Sequence, residues 1–237
     1  MEIGILECGH AAPAAAKVHG DFRDMFAALL DGYGLNFQAF DVENMHFPDD
    51  VRLCDGWLLT GSKHGVYEDH AFIPPLEVFI RDAFAARVPM VGICFGHQII
   101  AQALGGRVEK FRAGWAIGRQ IYDFEELGEI ALNAWHQDQV MEYPAPARAV
   151  AASDFCKNAA LIYDDWAFTI QAHPEFTSAL VADYVEMRRG TADYPDDRMD
   201  AAAGHAAAGK PIDRTPIAGR IADFFKNSHA KREAAHA

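Results

Sequence analysis

The stretch Val91-Gly92-Ile93-Cys94-Phe95-Gly96-His97-Gln98 decides how this chain is read. Arg87-Val88-Pro89-Met90-Val91 before it forms an apolar strand. Gly96-His97-Gln98-Ile99-Ile100-Ala101-Gln102-Ala103-Leu104 after it has helical periodicity that stops at Gly105-Gly106. Cys94 therefore stands at the corner where strand becomes helix. Glycines two residues before and two after it let the backbone turn sharply and approach a substrate without a Cβ clash. The helix aims free amides at the sulfur, and such an N-terminus favours a thiolate. The corner has the form of a nucleophile elbow.

Outward from the elbow, strand-like and helix-like runs alternate. Residues 2 to 6, 35 to 41, 55 to 60 and 88 to 93 read as strands, and 20 to 31 and 74 to 86 as helices. Such alternation implies an α/β fold: an open mixed, mainly parallel sheet flanked by helices. Ligands in sheets of this type sit at the carboxyl ends of the strands, where Gly61 and Cys94 both fall. Beyond residue 106 the pattern changes to short strands near 107 to 112, 115 to 122, 130 to 135, 147 to 152, 159 to 163 and 167 to 171, expected as a smaller antiparallel excursion. Tyr163-Asp164-Asp165-Trp166 reads as a turn that delivers the last strand to His173. A helical tail is expected from about 177, with an amphipathic helix from Pro216 to Lys226. Residues 185 to 215 carry no periodic pattern that assigns a role, and a lid, an interface and a surface excursion stay open. With neither repeat nor long linker, residues 1–237 are expected to form one domain.

A nucleophile needs a base and a group that orients it. In Thr169-Ile170-Gln171-Ala172-His173-Pro174-Glu175-Phe176 a short apolar strand runs out into His-Pro-Glu, and Pro174 keeps the segment extended. His173 and Glu175 then project to one side. Imidazole takes the thiol proton and later returns it to a leaving amine, while the carboxylate fixes the tautomer. Cys94, His173 and Glu175 are the candidate catalytic residues.

Gly92-Ile93-Cys94-Phe95-Gly96-His97-Gln98 and His173-Pro174-Glu175 together resemble the class I, triad-type glutamine amidotransferases. Leu58-Leu59-Thr60-Gly61-Ser62 and Trp135-His136-Gln137-Asp138-Gln139-Val140 extend the resemblance to roughly residues 2 to 180. It implies a flavodoxin-like three-layer fold. It also implies an oxyanion hole from the amides of Gly61 and Phe95, and substrate contacts from Gln98, His136, Gln137 and Asp138. Gly61-Ser62-Lys63-His64-Gly65-Val66-Tyr67 and His136-Gln137-Asp138 are similar to the stand-alone branch near the GMP synthase amidotransferase domain and plant γ-glutamyl peptidases. The implied reaction cleaves the γ-glutamyl amide of glutamine through a cysteine thioester, releasing glutamate and ammonia. A γ-glutamyl peptidase acting on a larger conjugate and a non-catalytic binding protein on the same scaffold are the alternatives. No fused synthetase domain is legible, so a separate synthetase subunit that receives ammonia and an independent hydrolase both stay open, as does a homo-oligomer.

Composition sets the outer bounds. Hydrophobic residues make up 51% and charged residues 23%, which suits a folded chain with a sizeable core. Its 21 basic against 34 acidic side chains give a formal net charge of -13, and this argues against nucleic acid and membrane as partners. Cys8, Cys54 and Cys156 are, with Cys94, too scattered for a disulfide framework and read as free thiols, in the core or at the surface. The start Met1-Glu2-Ile3-Gly4-Ile5-Leu6 lacks the basic, long apolar pattern of an export signal, so a cytoplasmic location is expected. No cofactor is called for. A metal on His64, Asp69 and His70 is set aside because the spacing fits no recognised ligand set. His97 reads as structural, on the elbow helix and packing against a neighbour, and Asp138 has a rival reading as a helix cap.

Overall fold

The computed structural model describes every residue except Ala192 and Ala237, and His236 by its backbone alone. Its first half alternates as expected: β1 (Glu2–Leu6), α1 (Pro13–His19), α2 (Phe22–Leu29), β2 (Asn36–Phe40), β3 (Gly56–Leu59), α3 (Ile73–Ala85), β4 (Met90–Ile93) and α4 (Phe95–Ala103). The second half runs β5 (Arg107–Lys110), β6 (Ala116–Phe124), β7 (Gly128–His136), β8 (Asp138–Glu142), β9 (Ala147–Ala152), β10 (Ala160–Tyr163), β11 (Ala167–Ile170), α5 (Ser178–Arg188), α6 (Asp196–Ala207) and α7 (Arg214–His236).

One nine-stranded sheet takes the order β2-β1-β3-β4-β11-β10-β9-β6-β7. The pairs from β2 to β11 are parallel and those from β11 to β7 antiparallel. The fold class is as the sequence implies, with one refinement. Most of the antiparallel strands do not form a separate layer. The hairpin at Asp164, which has a positive φ of 48°, returns β11 alongside β4 and splices them onto the parallel half. Among the described residues only β5 and β8 make a second, two-stranded sheet.

Strand alternation divides the core into two clusters. Leu58, Val91, Ile93, Phe168 and Ile170 face one side of the sheet, where they pack with apolar side chains of α2, α5, α6 and α7. Trp57, Leu59, Met90 and Ala167 face the other, against α3 and α4. The central strands β3, β4 and β11 are buried on both faces and read as continuous apolar runs for that reason.

Two elements were not legible in the sequence. Helix α1 is only seven residues long, with proline in its first turn and one buried residue, Ala15, so it has almost no apolar periodicity to show. Strand β8 lies where the sequence also allows a helix cap. Asp138 begins an extended strand paired with Lys110 and caps no helix. Residues 185 to 215 include α6, whose Met199 and Ala202 are buried, while a Cβ on Gly118 of β6 would lie 2.6 Å from that of Ala202. Two buried positions in an alanine-rich helix are too few for a visible stripe.

Candidate functional site

The elbow is real backbone strain. Cys94 sits at φ 54° and ψ -100° as the residue before α4. A non-glycine residue there costs about 1–3 kcal/mol and persists only when its surroundings enforce it. Its amide donates to the Ile170 carbonyl at 2.9 Å, which ties the corner to β11. The turn is tight: a Cβ on Gly96 would lie 2.3 Å from the Leu59 carbonyl oxygen, and one on Gly92 2.4 Å from that of Gly96. Gly96 itself donates to the Thr60 carbonyl at 3.1 Å. The amides of Gly61 and Phe95 have no protein acceptor among the described residues. Gly61 is held close, since a Cβ there would fall 2.9 Å from His173 Cε1 and 3.9 Å from Cys94 Cβ.

His173 and Glu175 follow β11 around the same sheet end. Imidazole Nδ1 and carboxylate Oε1 are 2.6 Å apart, with His173 3% and Glu175 1% exposed. Burial opposes the imidazolium, but the charges of Glu175 and Cys94 and hydrogen bonds to both push His173 up to about 10. Three contacts fix the ring and the turn that carries it. The ring stacks on Phe176 at 3.9 Å, its backbone amide donates to the Asn133 carbonyl at 2.8 Å, and Arg214 donates to the carbonyls of Pro174 and Glu175 at 2.7 and 3.2 Å. Among the described residues Glu175 Oε2 is buried without a partner.

The remaining sequence candidates border one cleft of about 250 Å³ that opens onto Cys94 and His173. Gln98 is 3% exposed and spends its amide protons inside the protein, on the Asp138 carbonyl at 2.9 Å and Gln171 Oε1 at 3.1 Å. Gln171 in turn donates to Cys94 Sγ at 3.6 Å. His136 is held neutral because burial drives it down to about 3. Its Nδ1 lies 3.1 Å from the Asp138 carbonyl, while Nε2 is buried without a partner among the described residues. Gln137 donates to the Phe111 carbonyl at 3.4 Å. Half-buried Asp138 is raised, chiefly by desolvation, and accepts from the Tyr67 hydroxyl.

Sequence reading missed Gln171, Phe176, Asn133 and Arg214. Gln171 had one available signal, an amide side chain at the end of a mostly apolar strand run. His97 lies on the elbow helix α4, fully buried, and its Nδ1 is 2.7 Å from Thr169 Oγ1 of the neighbouring strand β11. Cys8, Cys54 and Cys156 are all buried, and burial pushes each thiol up. His64, Glu68 and His70, rather than Asp69, bring possible ligand atoms within 4.8 Å of one another. These histidines already face carboxylates, Glu43 at 2.9 Å and Glu68 at 2.8 Å. Among the described residues no helix is long and apolar enough to cross a membrane.

Residues 32–185 match the family model described as glutamine amidotransferase class-I. The chain belongs to that family. Within it, this amidotransferase-family chain is 29% identical over 187 residues to γ-glutamyl peptidase 4 of Arabidopsis thaliana, covering 73% of this chain and 74% of that one. It is 38% identical over 181 residues to GMP synthase [glutamine-hydrolyzing] of Alcanivorax borkumensis, covering 68% of this chain but 33% of that protein. The crystal structure of a glutamine amidotransferase from Methylobacillus flagellatus shares the fold at a TM-score of 0.76 and 22% identity, over 98% of this chain and 94% of that one.

Proposed function

We propose that this protein hydrolyses a γ-glutamyl amide through a thioester on Cys94, with glutamine as the minimal substrate. The observation that carries the reading is the buried His173–Glu175 pair, 2.6 Å apart, set against a cysteine at a strained elbow within one cleft. In the first half-reaction the Cys94 thiolate attacks the side-chain carbonyl carbon and the amides of Gly61 and Phe95 receive the oxyanion. The C–N bond then breaks as His173 gives its proton to the departing amine. In the second, His173 takes a proton from water, which attacks the thioester. Glutamate leaves, and the Cys94 thiolate and the protonated His173 are restored.

Gln98, His136, Gln137 and Asp138 would receive the glutamyl end. Neutral His136 offers an unshared acceptor at Nε2, which suits an ammonium donor. When the leaving group is ammonia, a separate synthetase subunit is the natural consumer, a reading supported by the likeness to one third of a GMP synthase. The cleft continuing past His173 and the likeness to γ-glutamyl peptidase 4 favour a second reading, in which the leaving group is the amine of a peptide.

Both readings are tested by measuring glutamate released from glutamine and from γ-glutamyl peptides, with Cys94→Ala as the blank. Release independent of Cys94 would overturn the mechanism. Failure of an electrophilic glutamine analogue to label Cys94 would favour a non-catalytic binding role instead.

A further inference from the structure

A run of aromatic rings leads away from His173 along the cleft wall. Its imidazole lies on Phe176 at 3.9 Å, Phe176 meets Tyr184 at 5.7 Å, Tyr184 meets Trp135 at 5.5 Å, and Trp135 meets Tyr194 at 5.4 Å. Against this wall stands the guanidinium of Arg188, 5.0 Å from the Tyr184 ring centre and 5.5 Å from those of Trp135 and Tyr194. It also donates to the Tyr194 hydroxyl. All of these side chains border the same cleft as Cys94.

The charge of Arg188 is not neutralised. Arg189, its neighbour in sequence, faces Asp200, and Lys63, another cation of the cleft, faces Glu43 at 3.1 Å. Arg188 has no carboxylate within ion-pairing distance among the described residues. In a chain of formal net charge -13, a cation held by three rings and left without a counterion is placed for an anionic ligand. Trp135 supplies a second donor, because its indole N–H is buried and has no partner among the described residues. A guanidinium fork and an indole N–H on one wall, both donors, match a carboxylate.

The location says which part of a substrate carries it. His173 hands its proton to the departing amine, so the leaving group must lie beside His173. The ring contacts from His173 to Arg188 pass only through Phe176 and Tyr184, and an extended residue spans about 3.3–3.6 Å. A short peptide leaving group of one to three residues, extended along this wall, directs its terminal carboxylate toward Arg188. Lys110, the remaining lysine of the cleft, instead acts on Asp138.

We infer that this arm of the cleft is a leaving-group subsite that holds the free C-terminal carboxylate of a short γ-glutamyl peptide through Arg188 and the Trp135 indole. The inference rests on γ-glutamyl amide hydrolysis and narrows it to peptides with an acidic terminus. Glutamine, which loses only ammonia, leaves the arm unused.

Binding and turnover separate the two ideas. Titration calorimetry on the Cys94→Ala chain would compare γ-glutamylglycine, γ-glutamyldiglycine and γ-glutamyltriglycine, each as free acid and as C-terminal amide. The acid should bind about tenfold tighter or better at one of these lengths. Arg188→Gln in that background should bring acid and amide to parity, while Arg188→Lys keeps part of the preference and guards against misfolding of the first variant. Equal binding of acid and amide at every length, no binding of either, a preference that survives Arg188→Gln, or one abolished by Lys110→Gln instead would each overturn the subsite. Turnover of the same peptides by the unmutated chain reports on the reaction. Acid-selective binding without Cys94-dependent cleavage would sink the hydrolase reading and spare the subsite. Cleavage of acids and amides at equal kcat/KM would sink the subsite and spare the hydrolase.

Discussion

His173 Nδ1 lies 2.6 Å from Glu175 Oε1, and the two residues are separated in sequence by Pro174 alone. Both side chains are almost wholly inside the protein, so each charge depends on the other to offset its lost hydration. Desolvation works against the imidazolium, yet the neighbouring Glu175 and Cys94 hold His173 up at about 10, above its ordinary value of 6.5. A proton is thereby stored beside the thiol at neutral pH.

That raised value has a stability signature. Below about pH 6.5 the folded and unfolded chains both carry the His173 proton, and its stabilisation is fully present. As pH rises toward 10 the unfolded chain has lost the proton and the folded chain still pays to keep it, so this contribution fades and is gone above that value. Glu175→Gln should flatten the dependence of melting temperature on pH across this window and lower kcat/KM by roughly 10³-fold. A wild-type minus variant difference that does not change with pH would refute the pairing.

Cys94→Ala should abolish glutamate release. The substitution removes one sulfur from a buried site and relaxes a strained backbone only slightly, so the melting temperature should stay within a few degrees of the parent. An electrophilic glutamine analogue should add one adduct per parent chain by mass spectrometry and none to the variant. An adduct on Cys8, Cys54 or Cys156 would contradict the assignment, because those thiols are buried and pushed up by burial.

Gly61→Ala tests the loop that faces the thiol. The new methyl would stand 2.9 Å from His173 Cε1, so either the ring or the loop must give way. Displacing an oxyanion donor costs about 10²- to 10³-fold in rate. The expected result is a fall of that size in kcat with KM changed much less. A large rise in KM at constant kcat would instead make Gly61 a substrate-binding element.

Arg214→Ala probes positioning from a distance. Arg214 opens α7 and donates to the carbonyls of Pro174 and Glu175, which fixes the turn between His173 and its carboxylate. Its loss should lower kcat by about tenfold, while Arg214→Lys restores part of that through its remaining donor. Equal loss in both variants, matched by equal drops in melting temperature, would assign Arg214 a purely structural role.

The elbow was legible in the sequence because it is a local object. Glycines at positions 92 and 96 around Cys94, an apolar strand before and a periodic helix after constrain one another over a dozen residues. His173-Pro174-Glu175 was legible for a similar reason. The parallel half of the sheet followed from alternating periods, and the antiparallel strands from short apolar runs punctuated by turns. Helix α1 and strand β8 escaped because seven residues with one buried side chain, and five that begin with a polar pair, carry too little pattern.

By itself the sequence determined that Cys94 sits at a strand-to-helix corner and that His173 and Glu175 share one segment, because steric and periodic rules act over a few neighbouring residues. Only the tertiary structure decided that Gln98 turns its amide protons inward to Asp138 and Gln171. The same holds for Gln171 reaching Cys94 Sγ, for Arg214 bracing the His-Pro-Glu turn from α7, and for Arg188 entering the cleft from the end of α5. Each of these contacts joins residues far apart in the chain. Their directions are set by the register of β4 against β11 and by where the C-terminal helices pack back onto the sheet, and neither is written in any local stretch.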